Sequence, residues 1–170
     1  NPNDTVNLSS PGALIATAKG FLSMGIEAPN SATLNIAGDV YSANSVGISA
    51  GAAAKITIGG EASVFGLGRG ILLNGGGEIN NSGTISSNGF GIDHTNVAGP
   101  MTLANAGTIR GQIAVQTFTA NAMIGNTGHM EGVGTALQTA GGSSFLFNMG
   151  GSINASEGAA VVMLGPAKTM

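Results

Sequence analysis

A two-residue landmark, Gly or Ala followed by an aliphatic residue, returns seven times along this chain at nearly constant spacing. It reads Gly25-Ile26, Gly47-Ile48, Gly70-Ile71, Gly91-Ile92, Ala114-Val115, Ala136-Leu137 and Ala160-Val161. The intervals are 22, 23, 21, 23, 22 and 24 residues. A fixed period of this size marks a stacked repeat, in which each unit buries its apolar face only against its neighbours.

A second landmark runs in step with the first. Gly38, Gly60, Gly83, Gly107, Gly128 and Gly150 recur at the same period, and four residues before each stands Leu34, Ile56, Ile79, Leu103, Ile124 or Leu146. Two residues after each Gly come Val40, Ala62, Ile85, Ile109, Met130 and Ser152. The last becomes Ile153 if Gly151 is the anchor and one residue is inserted there. Apolar residues two or four apart, rich in Ile and Val and broken every few residues by Gly or Asn, indicate strands rather than helices. The expected fold is all-β, a right-handed parallel β-helix of about seven coils over residues 14–164. Coils about 4.8 Å apart make a rod ~34 Å long. Residues 1–13 carry none of the pattern and read as an irregular or capping segment; residues 165–170 read as a tail or the start of another coil.

A narrow prism explains the composition. Its interior takes Ile, Leu, Val and Ala but has no room for Trp, of which there is none, and its corners account for 30 Gly in 170 residues. Asn81, Asn105, Asn126 and Asn148 recur two residues before an anchor Gly, where stacked amides can hydrogen-bond along the rod. Ile36 and Ile58 hold that place earlier in the chain. With no Cys, disulfides, thiolate catalysis and Cys-ligated metals are excluded. Five Lys and Arg against eight Asp and Glu argue against a nucleic-acid surface. No run approaches the ~18 apolar residues of a spanning helix, and six Phe with one Tyr cannot build the aromatic girdles of a membrane barrel. The rod is therefore not expected to insert in a membrane. The opening Asn1-Pro2-Asn3-Asp4 has no initiator Met, basic segment or apolar stretch of an export signal, and reads as a start either after any signal sequence or inside a longer chain.

The cores Asn81-Ser82-Gly83-Thr84-Ile85 and Asn105-Ala106-Gly107-Thr108-Ile109 both read N-x-G-T-I, and Asn126-Thr127-Gly128-His129-Met130 is a degenerate third copy. Over residues 32–164 the chain resembles the repeats of autotransporter passengers and filamentous-haemagglutinin-type adhesins, large secreted bacterial surface proteins. The resemblance implies a β-helix stalk exported to the Gram-negative cell surface and continuing into other domains. Its implied partner is a host-cell or extracellular-matrix protein or glycan.

Few residues carry candidate chemistry. Asp39 and Glu61 are expected at one position of adjacent coils, about 5 Å apart, where they make either a calcium seat or an acid–base pair, or two solvated acids. Asp93 and His94 form a suggestive pair, but Leu72 and Gln116 flank Asp93 in its column and no Arg faces it in register; an exposed turn is the plainer reading. Gln116 and Gln138 are expected to stack as amides, and Arg110 with Glu131 to form a cross-coil ion pair. Arg69, between two glycines, is either a contact for a phosphate or sugar acid or a solvated turn residue.

Two functions compete. The leading expectation is a non-catalytic structural and adhesive segment with no cofactor, metal ligand or catalytic residue. Its binding is expected in the irregular stretches Asn74–Gly77 and Thr95–Pro100. The alternative is a polysaccharide-degrading β-helix enzyme, a lyase or glycoside hydrolase, using Asp39, Glu61 or Asp93.

Overall fold

The computed structural model describes residues 5–8, 14–17, 24–94, 99–118, 121–141 and 143–164. Within them the chain is strand and turn, with no helix. Three strands make the first coil: β1 (Thr5–Leu8), β2 (Leu14–Thr17) and β3 (Ile26–Ala28). The triplet repeats as β4 (Thr33–Ile36), β5 (Asp39–Ser42) and β6 (Val46–Ala50), then as β7 (Ala54–Ile58), β8 (Ser63–Gly66) and β9 (Arg69–Leu73). The fourth coil holds β10 (Gly77–Asn81), β11 (Thr84–Ser87) and β12 (Phe90–His94).

Beyond it the second and third strands fuse. β13 (Met101–Asn105) leads into the long β14 (Thr108–Thr117), and β15 (Ala122–Asn126) into β16 (His129–Ala140). β17 (Phe145–Asn148), β18 (Ser152–Ala155) and β19 (Val161–Leu164) end the described chain. All pairing is parallel, coil to coil. First strands stack into a seven-stranded sheet, while second and third strands form one bent sheet through which β14 and β16 run. From β1 to β17 the chain completes six turns, and β17 to β19 begin another. This is the parallel β-helix that the repeat predicts.

Three aliphatic ladders form the core. Leu34, Ile56, Ile79, Leu103, Ile124 and Leu146 pair successively in the first sheet. Ile26, Ile48, Ile71, Ile92, Val115, Leu137 and Val161 do so on the third face, as their shared landmark requires. On the second face the ladder is Val40, Val64, Ile85, Ile109, Met130 and Ile153. Most of these side chains have no solvent exposure, and burying each contributes about 1.5–3 kcal/mol.

Two sequence expectations are corrected here. Val64, not Ala62, occupies the second-face ladder, because Gly59-Gly60 offers two possible anchors and the chain uses an extra turn. Two residues more separate Ile58 from Ser63 than separate Asn81 from Thr84, their partners one coil on. Ala62 thereby takes the corner held by Gly83; its amide bonds to the Gly59 carbonyl at 3.0 Å, and its own carbonyl accepts from Thr84 at 3.0 Å. The solenoid also begins earlier than expected: Thr5–Leu8 pairs in register with Thr33–Ile36, setting Val6 against Leu34 and Leu8 against Ile36. At the other end Ile153 stands opposite Met130, so the inserted residue lies before Gly151 as the spacing suggests.

A fourth inward column changes chemistry along its length. It runs Leu8, Ile36, Ile58, Asn81, Asn105, Asn126 and Asn148. Asn81 Nδ2 donates to Asn105 Oδ1 at 2.8 Å, Asn105 to Asn126 at 2.7 Å, and Asn126 to Asn148 at 2.8 Å. Each donor also reaches the carbonyl of the corner Gly two residues on, at 3.3 Å for Asn81, Asn105 and Asn126. Every bond points the same way, so Asn81 Oδ1, at the head of the ladder above Ile58, is buried without a donor.

Candidate functional site

The acids singled out by sequence do not converge. Asp39 stands opposite Leu14 in the coil before, and its Oδ1 accepts from the Ser63 amide in the coil after, at 3.1 Å. Glu61 lies on the inserted turn, fully outside that column. The expected Asp39–Glu61 pair is therefore overturned by the two-residue shift, and with it the calcium seat or acid–base pair built on it.

Asp93 also departs from its expected place. It is not in an exposed turn but within β12, flanked by Leu72 and Gln116 as the register predicts. Its carboxylate is 2% exposed, and Oδ2 is held by Arg69 Nε from the preceding coil. Arg69 stands opposite Phe90, three residues before Asp93, so counting in whole coils does not bring the two together; the length of the Arg side chain spans the offset. Arg69 also lies over the Phe90 ring, its guanidinium carbon 5.8 Å from the centroid, so it is engaged rather than merely solvated.

His94 occupies the other side of the strand. It is fully buried opposite Thr117, and its Nδ1 lies 3.1 Å from Thr117 Oγ1. Burial holds its pKa below the usual histidine value of 6.5, opposed by the neighbouring Asp93 charge and by a hydrogen bond to the Gly75 backbone. Asp93 and His94 thus serve separate contacts, one toward Arg69 and one toward Thr117. No group of three or more His, Asp or Glu side chains that could hold a metal occurs among the described residues.

The two cross-coil pairs expected from the repeat are present. Arg110 Nε donates to Glu131 Oε2 at 2.6 Å, and Gln116 Nε2 to Gln138 Oε1 at 3.3 Å. Both members of the ion pair are exposed, 58% and 40%, so it stabilises the fold by under ~1 kcal/mol. Of the irregular stretches, Asn74–Gly77 packs against its neighbours: Asn74 donates to Ser49 Oγ at 2.9 Å, and the Gly77 amide to the Pro100 carbonyl at 2.9 Å. Residues 95–98 of the other stretch lie outside the described residues.

Sequence reasoning did not foresee a concavity on the outer side of the bend where β14 and β16 pass from the second face to the third. This groove, about 610 Å³, has Gly111 and Gly132 along its bend, Arg110, Glu131 and Asn154 on one side, and Asn88 and Gln112 on the other. Arg110, Glu131 and Asn154 belong to one outward column whose earlier members are Tyr41, Phe65 and Ser86. Tyr41 and Phe65 stack, with centroids 5.1 Å apart and rings 15° from parallel. The column was legible only with the correct register at Ser63, since the aromatic pair is out of step in the other one. Comparison of the chain with protein-family models, curated proteins and solved structures gave no match.

Proposed function

We propose that this chain is a non-catalytic structural and adhesive β-helix segment of a larger secreted bacterial surface protein, a stalk of the autotransporter-passenger kind at a Gram-negative cell surface. The observation that carries the reading is how the candidate chemistry is used. Asp39 holds the next coil through the Ser63 amide, Asp93 holds Arg69 of the previous coil, and Glu131 holds Arg110. Each of these acids joins coil to coil, as the Asn ladder does. A rod built this way bears load along its axis and leaves its outer faces for attachment to host-cell or matrix protein or glycan.

The test is incubation of the purified protein with polygalacturonate, glucans and other polysaccharides, followed by assay for new reducing ends or unsaturated products. The reading expects none. Turnover that disappears in Asp93→Ala or Asp39→Ala would replace it with the degradative enzyme. Reading the flanking coding sequence tests the second half of the proposal, which expects further solenoid or a secretion domain beside this segment.

A further inference from the structure

The geometry points to the groove at the outer bend as a binding site for an extended neutral glycan; the inference rests on the non-catalytic reading and names its ligand class. The groove is chemically suited to a hydroxyl-rich chain. Asn88, Gln112 and Asn154 offer amides that both donate and accept, and the Arg110–Glu131 pair presents one charge of each sign. Because those charges cancel, the site has no net field to favour a polyanion. Val133, 41% exposed, and Ala155 add apolar surface among these polar groups, against which the C–H faces of sugar rings can pack.

Spacing supplies the second argument. Groups on this column repeat at the strand separation of about 4.8 Å, so Tyr41 to Asn154 spans ~24 Å over five coil steps. An extended chain of pyranose rings advances by a similar distance per residue and meets a repeating set of partners. At the far end the stacked Tyr41 and Phe65 offer an aromatic surface, Tyr41 being 45% exposed, on which the C–H face of a sugar ring can rest. An extended peptide fits less well. Peptides laid along a sheet are recognised through free main-chain groups at an edge, whereas β14 is paired to strands on both sides here.

The experiment is isothermal titration and amide chemical-shift mapping of the whole protein with cellohexaose, mannohexaose and chitohexaose, and with the matching trisaccharides. The expected result is binding of at least one hexasaccharide, with shifts at Asn88, Gln112 and Asn154. Gln112→Ala and Arg110→Ala should each weaken it about tenfold while leaving the melting curve near that of the parent. Tyr41→Ala should weaken the hexasaccharide but not the trisaccharide, and Lys55→Ala, on the first sheet, should change neither. Absence of binding by all three hexasaccharides overturns the inference, as does preference for hexagalacturonate or for an extended peptide. Chromatography of the sugar afterwards separates the two readings: shortened product would overturn the non-catalytic function and leave the groove standing. Intact sugar with no binding would do the reverse.

Discussion

In the coils that hold Ile36 and Ile58, the fourth inward column is aliphatic and the second and third strands are separate, broken at residues 43–45 and 67–68. In the coils that hold Asn105 and Asn126, the same column is a run of amides, the strands pass through the bend unbroken, and Ala114 or Ala136 stands before the third-face ladder where the earlier coils have Gly47 and Gly70. A parallel column changes in the same place: Ala28, Ala50 and Leu73 give way to His94, Thr117 and Thr139. One backbone path therefore accepts two interiors. The difference teaches that a coil needs its inward groups satisfied from the coils above and below, by apolar contact or by hydrogen bond. The cost falls at the junction, where Asn81 Oδ1 faces Ile58 and finds no donor.

The largest expected effect tests that junction. Ile36→Asn would bury an amide between Leu8 and Ile58 with nothing to bond, losing both the transfer energy and the satisfaction of the new group, about 4 kcal/mol. Ile58→Asn would instead lengthen the amide ladder and give Asn81 Oδ1 its donor, so it should cost about 2 kcal/mol less. Urea melts of the two variants make the comparison; equal losses would mean that the junction carries no unmet bond.

Next comes the ladder itself. Asn105→Ala removes the acceptor of Asn81 and the donor of Asn126 together, and should cost about 2–3 kcal/mol by the same melts. The position just before the third-face ladder gives a smaller contrast. A Cβ at Gly70 would lie 2.6 Å from the Gly91 carbonyl oxygen and 2.7 Å from Ile85 Cγ2, so Gly70→Ala should destabilise by about 1–3 kcal/mol. Ala114→Gly, in the fused half, should cost only about 0.5–1 kcal/mol through backbone entropy.

The smallest effect is a pH dependence confined to the polar half. His94 in the folded chain resists protonation, so below about 6.5 the unfolded chain binds more protons and stability falls. The contribution is complete above that pH and declines as pH drops through it toward the lower folded value. Thermal melts between pH 7.5 and 5.5 should show the decline, and His94→Gln should flatten it. A decline that persists unchanged in the variant would assign it to another group.

How much of this was readable in advance depended on whether the residues sit directly above one another. The ladders through Leu34 and Ile48, the amides from Asn81 to Asn148, Gln116 on Gln138 and Arg110 on Glu131 are all straight columns, and a constant period is enough to find them. Arg69 on Asp93 is diagonal, so counting in steps of one coil passed it by. The extra turn at Gly60-Glu61 hid behind a doubled glycine and moved Glu61 away from Asp39. β1 has the alternating Val6 and Leu8 but no Gly landmark after it. The groove could not be read at all, because it depends on β14 and β16 bending without a break.

Register is the claim on which the ladders, the displaced acids and the groove all depend, and a chain without cysteine allows it to be tested directly. Two double variants suffice: Asp39→Cys with Ser63→Cys, and Asp39→Cys with Glu61→Cys. Stacked parallel neighbours fall within the ~4.4–6.8 Å between Cα atoms that a disulfide spans. Mild oxidation should cross-link the first pair rapidly and leave the second as free thiols, whereas rapid closure of the second pair with the first unreacted would contradict the stacking described here.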